Sequence, residues 1–232
     1  MNFENMLRYC RELELNNNRP WFHANHKQYE VAKAEFTELV DRMKYIIAER
    51  ADLELQERIM FANPRDMLYR IPRDARVYKN KPPYNPTWRA YISGDKKALL
   101  PLGYYVMIAP GNVSEFGSGA WCPDSDCVNN VRNYIAENWE ELDELLAESG
   151  LCIWGDKLKR CPQGYDPEHP AVEYLKYKNW LFLDQFKDEQ LTDADAFLDI
   201  IADRVERMEP LRRYFNRAMR NRPESMWERL NK

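Results

Sequence analysis

The sequence has little glycine, no low-complexity tract and no long apolar run. Only eight of its 232 residues are glycine, which argues against long flexible linkers. No apolar run approaches the roughly 18 to 20 residues that a membrane-spanning helix needs. Charged residues recur throughout the first fifteen positions, which is unlike a signal peptide. We therefore expect a cytoplasmic protein with no membrane partner, and its 44% apolar residues suffice for a substantial core.

Metal-ligand patterns are incomplete. The five cysteines are irregularly spaced, and Cys122 and Cys127 have no second close pair to complete a zinc site. His23 and His26 would share a helix face with Glu30, but no third histidine lies nearby. We expect free, mostly buried thiols, no bound metal and no cofactor.

Common catalytic motifs are also missing. The chain contains no glycine-rich nucleotide loop, no G-x-S-x-G elbow and no metalloprotease motif. Ser118 lies between two glycines without a matched base, so we interpret it as part of a turn or bulge. The residues leave open whether the protein is an enzyme, and they do not indicate its oligomeric state.

The order of patterns predicts an α+β fold. Helical spacing of apolar residues begins at Phe3, and a second helix is expected from Pro20 to about Arg50. Glycine, proline and alternating apolar residues dominate from about 65 to 121, where we predict a central, largely antiparallel sheet. Helices return afterwards, one of them capped by Gly150, and Pro210 should kink or end the last long helix. We expect N- and C-terminal helices to pack on the sheet in a single domain, residues 1–232.

Positive charge is concentrated in two stretches of an acidic chain. The net charge is −4, yet residues 65–89 hold seven Lys or Arg against two Asp. Within them lies RDARVYKNKPPYN, residues 73–85. A second run at 211–222 carries five arginines and no acid, and we interpret it as a solvated helix face. Confinement of the positive charge to patches favours a small anion over a long nucleic acid as ligand.

The 73–85 stretch supplies most of the candidate binding residues. An extended backbone would place Asp74 and Arg76 on one face, so the carboxylate could hold Arg76, or Arg73 by a turn, as a fixed fork. Such a fork suits a carboxylate or phosphate. The prolines at 82 and 83 stiffen the loop. The alternative is that Arg73 and Asp74 form a buried pair that only ties the loop down. The candidate ligand-binding residues here are Arg73, Asp74, Arg76, Lys79, Lys81 and Tyr84.

Two further residues are candidates for a pocket wall. Trp21 follows three asparagines at a helix start, where it could line a pocket or belong to the core. His169 lies in the rigid loop CPQGYDPEHP, where it could act as an acid or base, donate to a ligand, or hydrogen-bond its own loop.

Five ordered stretches resemble a known family of bacterial and fungal proteins. LNNNRPWF, RDARVYKNKPPYN, YYVMIAPG, FGSGAWCP and PQGYDPEHP are similar to segments of the domain of unknown function 2461 family, over roughly residues 3 to 220. That family's central pattern is approximately R-D-x-R-F-x-K-D-K-[ST]-P-Y-K. This chain has Pro82 in place of the hydroxyl residue and Asn85 in place of the last lysine. The resemblance implies a fold and no specific reaction.

Three functional classes remain open. The first is a protein that binds a small phosphate- or carboxylate-bearing ligand, with or without catalysis. The second is a non-enzymatic adaptor that uses both basic stretches to bind nucleic acid or protein. The third is a structural interaction module whose basic residues are all paired internally.

We predict that the purified protein carries no stoichiometric zinc or iron. Neither the cysteines nor the two helical histidines offer the four ligands that a structural site requires. Elemental analysis of purified protein measures this, and one equivalent of either metal per chain would contradict it.

Overall fold

The structure is a computed structural model that describes residues 1–74, 76–95 and 99–221. The chain forms two compact units. Within the described residues, unit 1 contains residues 1–117 and 183–206, and unit 2 contains residues 118–182 and 207–221. The single-domain assignment stays a prediction.

Unit 1 begins with helices and continues into the sheet. The long helix α3 packs against α1, α4, α5 and strand β1. Its buried side chain Phe36 lies 5.9 Å, between ring centres, from Trp88 of β1. The elements are α1 (Phe3–Leu15), α2 (Arg19–Ala24), α3 (His26–Arg50), α4 (Leu53–Met60), α5 (Pro64–Met67), β1 (Trp88–Ile92) and β2 (Tyr104–Ile108).

The remaining elements belong to unit 2 or continue from one unit into the other. Strands β3 and β4 and the last helix, α9, each contain residues of both units. The elements are β3 (Ser114–Ala120), α6 (Ser125–Glu137), α7 (Trp139–Ser149), α8 (Val172–Leu175), β4 (Trp180–Phe186), a 3₁₀ turn (Asp188–Leu191) and α9 (Ala194–Arg220). Gly150 follows α7 in the left-handed conformation, with φ 63°, as a C-terminal cap should.

The α+β prediction is confirmed by a four-stranded antiparallel sheet with the order β1-β2-β3-β4. Alternate residues of β1 and β2 are buried, and Trp88 pairs with Ile108 across the two strands. The predicted limits of the sheet were wrong at both ends. Residues 65–67 belong to α5, residues 68–74 and 76–87 form only isolated bridges, and β4 lies far beyond position 121. The apolar run WLFL in β4 has no alternation that would separate a strand from a buried helix.

The second helix is interrupted at Asn25, which corrects the prediction of one helix from Pro20 to about Arg50. Both the backbone N–H of Asn25 and its side-chain amide donate to the carbonyl of Trp21, at 3.0 and 2.9 Å. An asparagine that binds the backbone in this way competes with helix continuation. The chain therefore ends α2 and restarts as α3.

Of the two outcomes predicted at Pro210, a kink or an end, the end is wrong, because α9 runs through this residue. A proline inside a helix loses one backbone hydrogen bond. The flanking side chains Met208 and Leu211 are fully buried. Their packing compensates for the lost hydrogen bond, since burying one such side chain is worth about 1.5–3 kcal/mol.

Three consecutive asparagines fix the entry to α2. The side chain of Asn16 donates to the carbonyl of Glu12 at the end of α1, and Asn18 accepts from the N–H of Trp21 as an N-cap. Asn17 acts over a long range. Its Oδ1 accepts from the backbone N–H of Tyr84 at 3.0 Å, and its Nδ2 donates to the Tyr84 carbonyl at 3.1 Å. One amide thus clamps the end of the basic stretch to the helices.

The interpretation of the C-terminal arginines as a solvated helix face holds only in part, because Arg213, Arg217 and Arg220 are exposed and Arg212 is not. Arg212 is fully buried and donates from Nε and Nη2 to the two carboxylate oxygens of Glu209, at 2.7 Å each. Arg213 donates to the same carboxylate at 2.8 Å. Arg217 donates to Glu141. Arg212, Arg213 and Arg217 thus form ion pairs with carboxylates of unit 2.

In the described ranges, no helix combines the length and apolar character needed to cross a membrane.

The five cysteines are free thiols, but only Cys10 is buried, so the expectation of mostly buried thiols was wrong.

We predict that Asn17→Ala lowers the free energy of unfolding by about 1–3 kcal/mol, because it leaves the backbone of Tyr84 without two hydrogen bonds. Asn16→Ala is the matched control, since its side-chain hydrogen bond is exposed, and it should cost about 0.5 kcal/mol or less. Urea denaturation measures both. Equal losses for the two variants would contradict the clamp.

We predict that Arg212→Met destabilises the protein by about 3–5 kcal/mol, since it removes one partner of a buried ion pair. Arg213→Met serves as control, because Arg213 binds the same carboxylate from a side chain that is 46% exposed. The control should cost about 1 kcal/mol or less. Thermal and urea unfolding would contradict the assignment if the two variants were equally stable.

Candidate functional site

Residues 73–85, here called the basic loop, leave and re-enter the body of unit 1 through a short paired stem. The N–H of Arg73 donates to the carbonyl of Pro83, and the N–H of Asn85 donates to the carbonyl of Ile71, both at 2.8 Å. At the tip, the carbonyl of Asp74 accepts from the N–H of Tyr78 at 2.9 Å. The loop is therefore a hydrogen-bonded structure whose two ends are fixed.

Arg73 holds this stem together with its side chain. Its Nη1 donates to the carbonyls of Pro82, at 2.9 Å, and Tyr84, and its Nη2 donates to Oδ1 of Asn85 at 3.1 Å. None of these acceptors is a carboxylate. The positive charge of Arg73 is thus positioned by neutral groups and is not neutralised by them.

Asp74 and Arg76 form the fork that the sequence suggested. Arg76 donates from Nε to Oδ1 at 3.1 Å and from Nη2 to Oδ2 at 2.8 Å, while its backbone N–H also donates to Oδ1. Hydrogen bonds from Arg76 lower the pKa of the Asp74 carboxyl. The Arg76 side chain is 90% exposed and lines neither of the two pockets described next.

The larger pocket has a volume of about 400 Å³ and lies on one side of the loop. It brings together four cationic side chains, one carboxylate and two tyrosine rings. Its lining comprises Tyr69, Arg70, Pro72, Arg73, Asp74, Tyr78, Lys81, Asn85 and Arg89.

Arg70 and Arg89 were not among the candidates from the sequence. Arg89 is on β1, where Trp88 and Ala90 on either side of it are buried, so its side chain projects from the opposite face. Its Nε is buried and has no hydrogen-bond partner within the described residues, and its guanidinium carbon lies 5.5 Å from the ring centre of Tyr69. The alternation in TWRAYIS already placed Arg89 on that face; what the sequence did not show was that the face meets the basic loop.

The smaller pocket, of about 190 Å³, adjoins the same loop. It contains three of the predicted cationic residues together with Tyr84, and Arg19 from the start of α2. Tyr84 is buried and stacks on Phe22, with ring centres 4.2 Å apart. The lining comprises Arg19, Pro72, Arg73, Tyr78, Lys79, Lys81, Pro82, Pro83 and Tyr84.

The electrostatics of the two pockets are unbalanced. Among the described residues, no carboxylate forms an ion pair with any cationic side chain that lines either pocket. Asp74 is the single acid in the larger pocket, and Arg76 already binds it. Burial, and then the charge of Arg89, lower the pKa of the Arg73 guanidinium. An anion in the larger pocket would relieve this repulsion between like charges.

The other candidate residues do not line these pockets. Trp21 is half-buried and packs on Tyr9, with ring centres 5.9 Å apart. His169 belongs to unit 2, where its Nδ1 accepts from the N–H of Ala171 at 3.0 Å. His26 lies 3.7 Å from Glu30 in an exposed pair. No group of three or more His, Cys, Asp or Glu side chains in the described ranges could hold a metal ion.

Comparison with known proteins gives one family match. Neither the curated proteins nor the solved structures contain a match to the chain. The model of a family described as conserved hypothetical protein (DUF2461) matches residues 5–214. That range includes the basic loop, both pockets and most of both units, and it confirms the resemblance seen in the five sequence stretches. The chain belongs to the DUF2461 family.

Proposed function

We propose that this protein binds a small ligand that bears a phosphate or carboxylate group in the larger pocket of the basic loop. The observation that carries the proposal is the set of cations around one cavity: Arg70, Arg73, Lys81 and Arg89 line it, and the one acid among its described lining residues is engaged by Arg76. A volume of about 400 Å³ lies within the usual range for small-molecule sites.

In this proposal, different side chains of the pocket bind different parts of the ligand. The guanidinium of Arg89 lines the pocket without a carboxylate partner among the described residues, and its planar set of N–H donors suits binding of a carboxylate or phosphate. Arg70 and Lys81 are exposed and add two further positive charges to the pocket. The rings of Tyr69 and Tyr78 form an apolar part of the pocket wall. This favours a ligand with a planar or apolar body next to its anionic group.

The nucleic-acid adaptor is the weaker candidate because it requires both basic stretches. Arg212 and Arg213 bind Glu209, and Arg217 binds Glu141, so much of the second stretch is neutralised inside its own unit. Proteins that neutralise many phosphates of DNA or RNA show a steep loss of affinity with salt. We expect no such steep, micromolar binding to single- or double-stranded nucleic acid.

We predict that a thermal-shift screen with inorganic phosphate and with phosphorylated and carboxylated metabolites finds a stabilising ligand, because a ligand bound only to the folded state raises its stability. Arg89→Met should weaken binding of that ligand by about 1.5–3 kcal/mol, or roughly tenfold and more in Kd, by loss of a charged hydrogen bond. Isothermal titration calorimetry measures the difference.

Arg65→Met is the matched control, since Arg65 is exposed on α5 and lines neither pocket. It should leave Kd unchanged. Arg73 is unsuitable for this test because its side chain also holds the stem of the loop. The proposal fails if no anion stabilises the protein, or if the two variants bind the ligand equally well.

A further inference from the structure

We propose that the ligand carries two anionic groups and lies across both pockets of the basic loop, with one group in each. This inference rests on the proposed function and adds the class of ligand: a bisphosphate, a phosphorylated carboxylic acid or a dicarboxylate of suitable length.

The first argument is that the two pockets share a wall. Pro72, Arg73, Tyr78 and Lys81 line both of them. The two pockets are therefore neighbours around these four residues, and a single elongated molecule that extends past them would reach both.

The second argument is that each pocket has cations of its own. Arg70 and Arg89 line only the larger pocket, whereas Arg19 and Lys79 line only the smaller one. None of these four side chains pairs with a carboxylate among the residues that the structure describes. An anion held in the larger pocket would leave the charges of the smaller pocket without a counter-charge.

The third argument concerns the shared cations. The guanidinium of Arg73 is fixed by backbone carbonyls and a side-chain amide, so it is a stationary positive charge between the two pockets. The ammonium of Lys81 makes no hydrogen bond within the described residues and lies 5.5 Å from the ring centre of Tyr78. Both charges can act on either end of a bound molecule, which favours a ligand that is anionic at both ends.

The test uses a series of straight-chain alkane-1,n-bisphosphonates and the matching alkylphosphonates, with calorimetric titration of the 232-residue protein. Linking two anionic groups makes the second contact intramolecular, so a bisphosphonate long enough to span should bind at least tenfold more tightly than the monophosphonate. The shortest member, methylenebisphosphonate, carries two phosphonates but cannot span, and it controls for charge alone.

The variants separate the pockets. Lys79→Met should remove most of the advantage of the spanning bisphosphonate and leave the monophosphonate Kd within about twofold. Arg89→Met should weaken both probes, and Arg65→Met should weaken neither.

The outcomes distinguish the two proposals. If the monophosphonate binds but no bisphosphonate of any length binds more tightly, the two-group inference fails and the single-anion site stands. If the advantage is the same for methylenebisphosphonate, or survives Lys79→Met, the inference also fails. If no phosphonate binds and the metabolite screen finds no anion, both proposals fail together.

Discussion

The candidate site depends on the hydrogen bonds that the guanidinium of Arg73 donates. It joins the two sides of the loop stem through the carbonyls of Pro82 and Tyr84 and the amide of Asn85. The same side chain lines both pockets, so the hydrogen bonds that close the loop stem also hold part of the wall that the pockets share. The side-chain amide of Asn17, just before α2, fixes the same end of the loop by hydrogen bonds with the backbone N–H and carbonyl of Tyr84.

The identity of the acceptors determines the electrostatic character of the site. A carbonyl or an amide orients a guanidinium without cancelling its charge, whereas a carboxylate does both. Arg73 has only the first kind of partner, and Arg212 is held by the carboxylate of Glu209. The two basic stretches therefore differ: the first retains positive charge at a cavity, and the second places Arg212 in a buried ion pair.

Much of the architecture was predictable because it follows from local patterns. The alternation along β1, the αL glycine after α7 and the helix–strand–helix order are short-range features that the sequence states directly. The errors came where a local rule met a competing interaction. Asn25 binds the carbonyl of Trp21 and breaks a helix, while packing around Pro210 keeps one intact.

The sequence by itself determined the class of fold, the family and the position of the positive charge, since all three are properties of residues close together in the chain. Only the tertiary structure decided which charges form a site. It places Arg70, Arg89 and Arg19 in the pockets beside the basic loop. It pairs Arg76 with Asp74 outside those pockets, and His169 belongs to the other unit. The physical reason is that a cavity and an ion pair depend on distances across the fold. Contacts such as that of Asn17 with Tyr84, 67 positions apart, leave no periodic signal in the sequence.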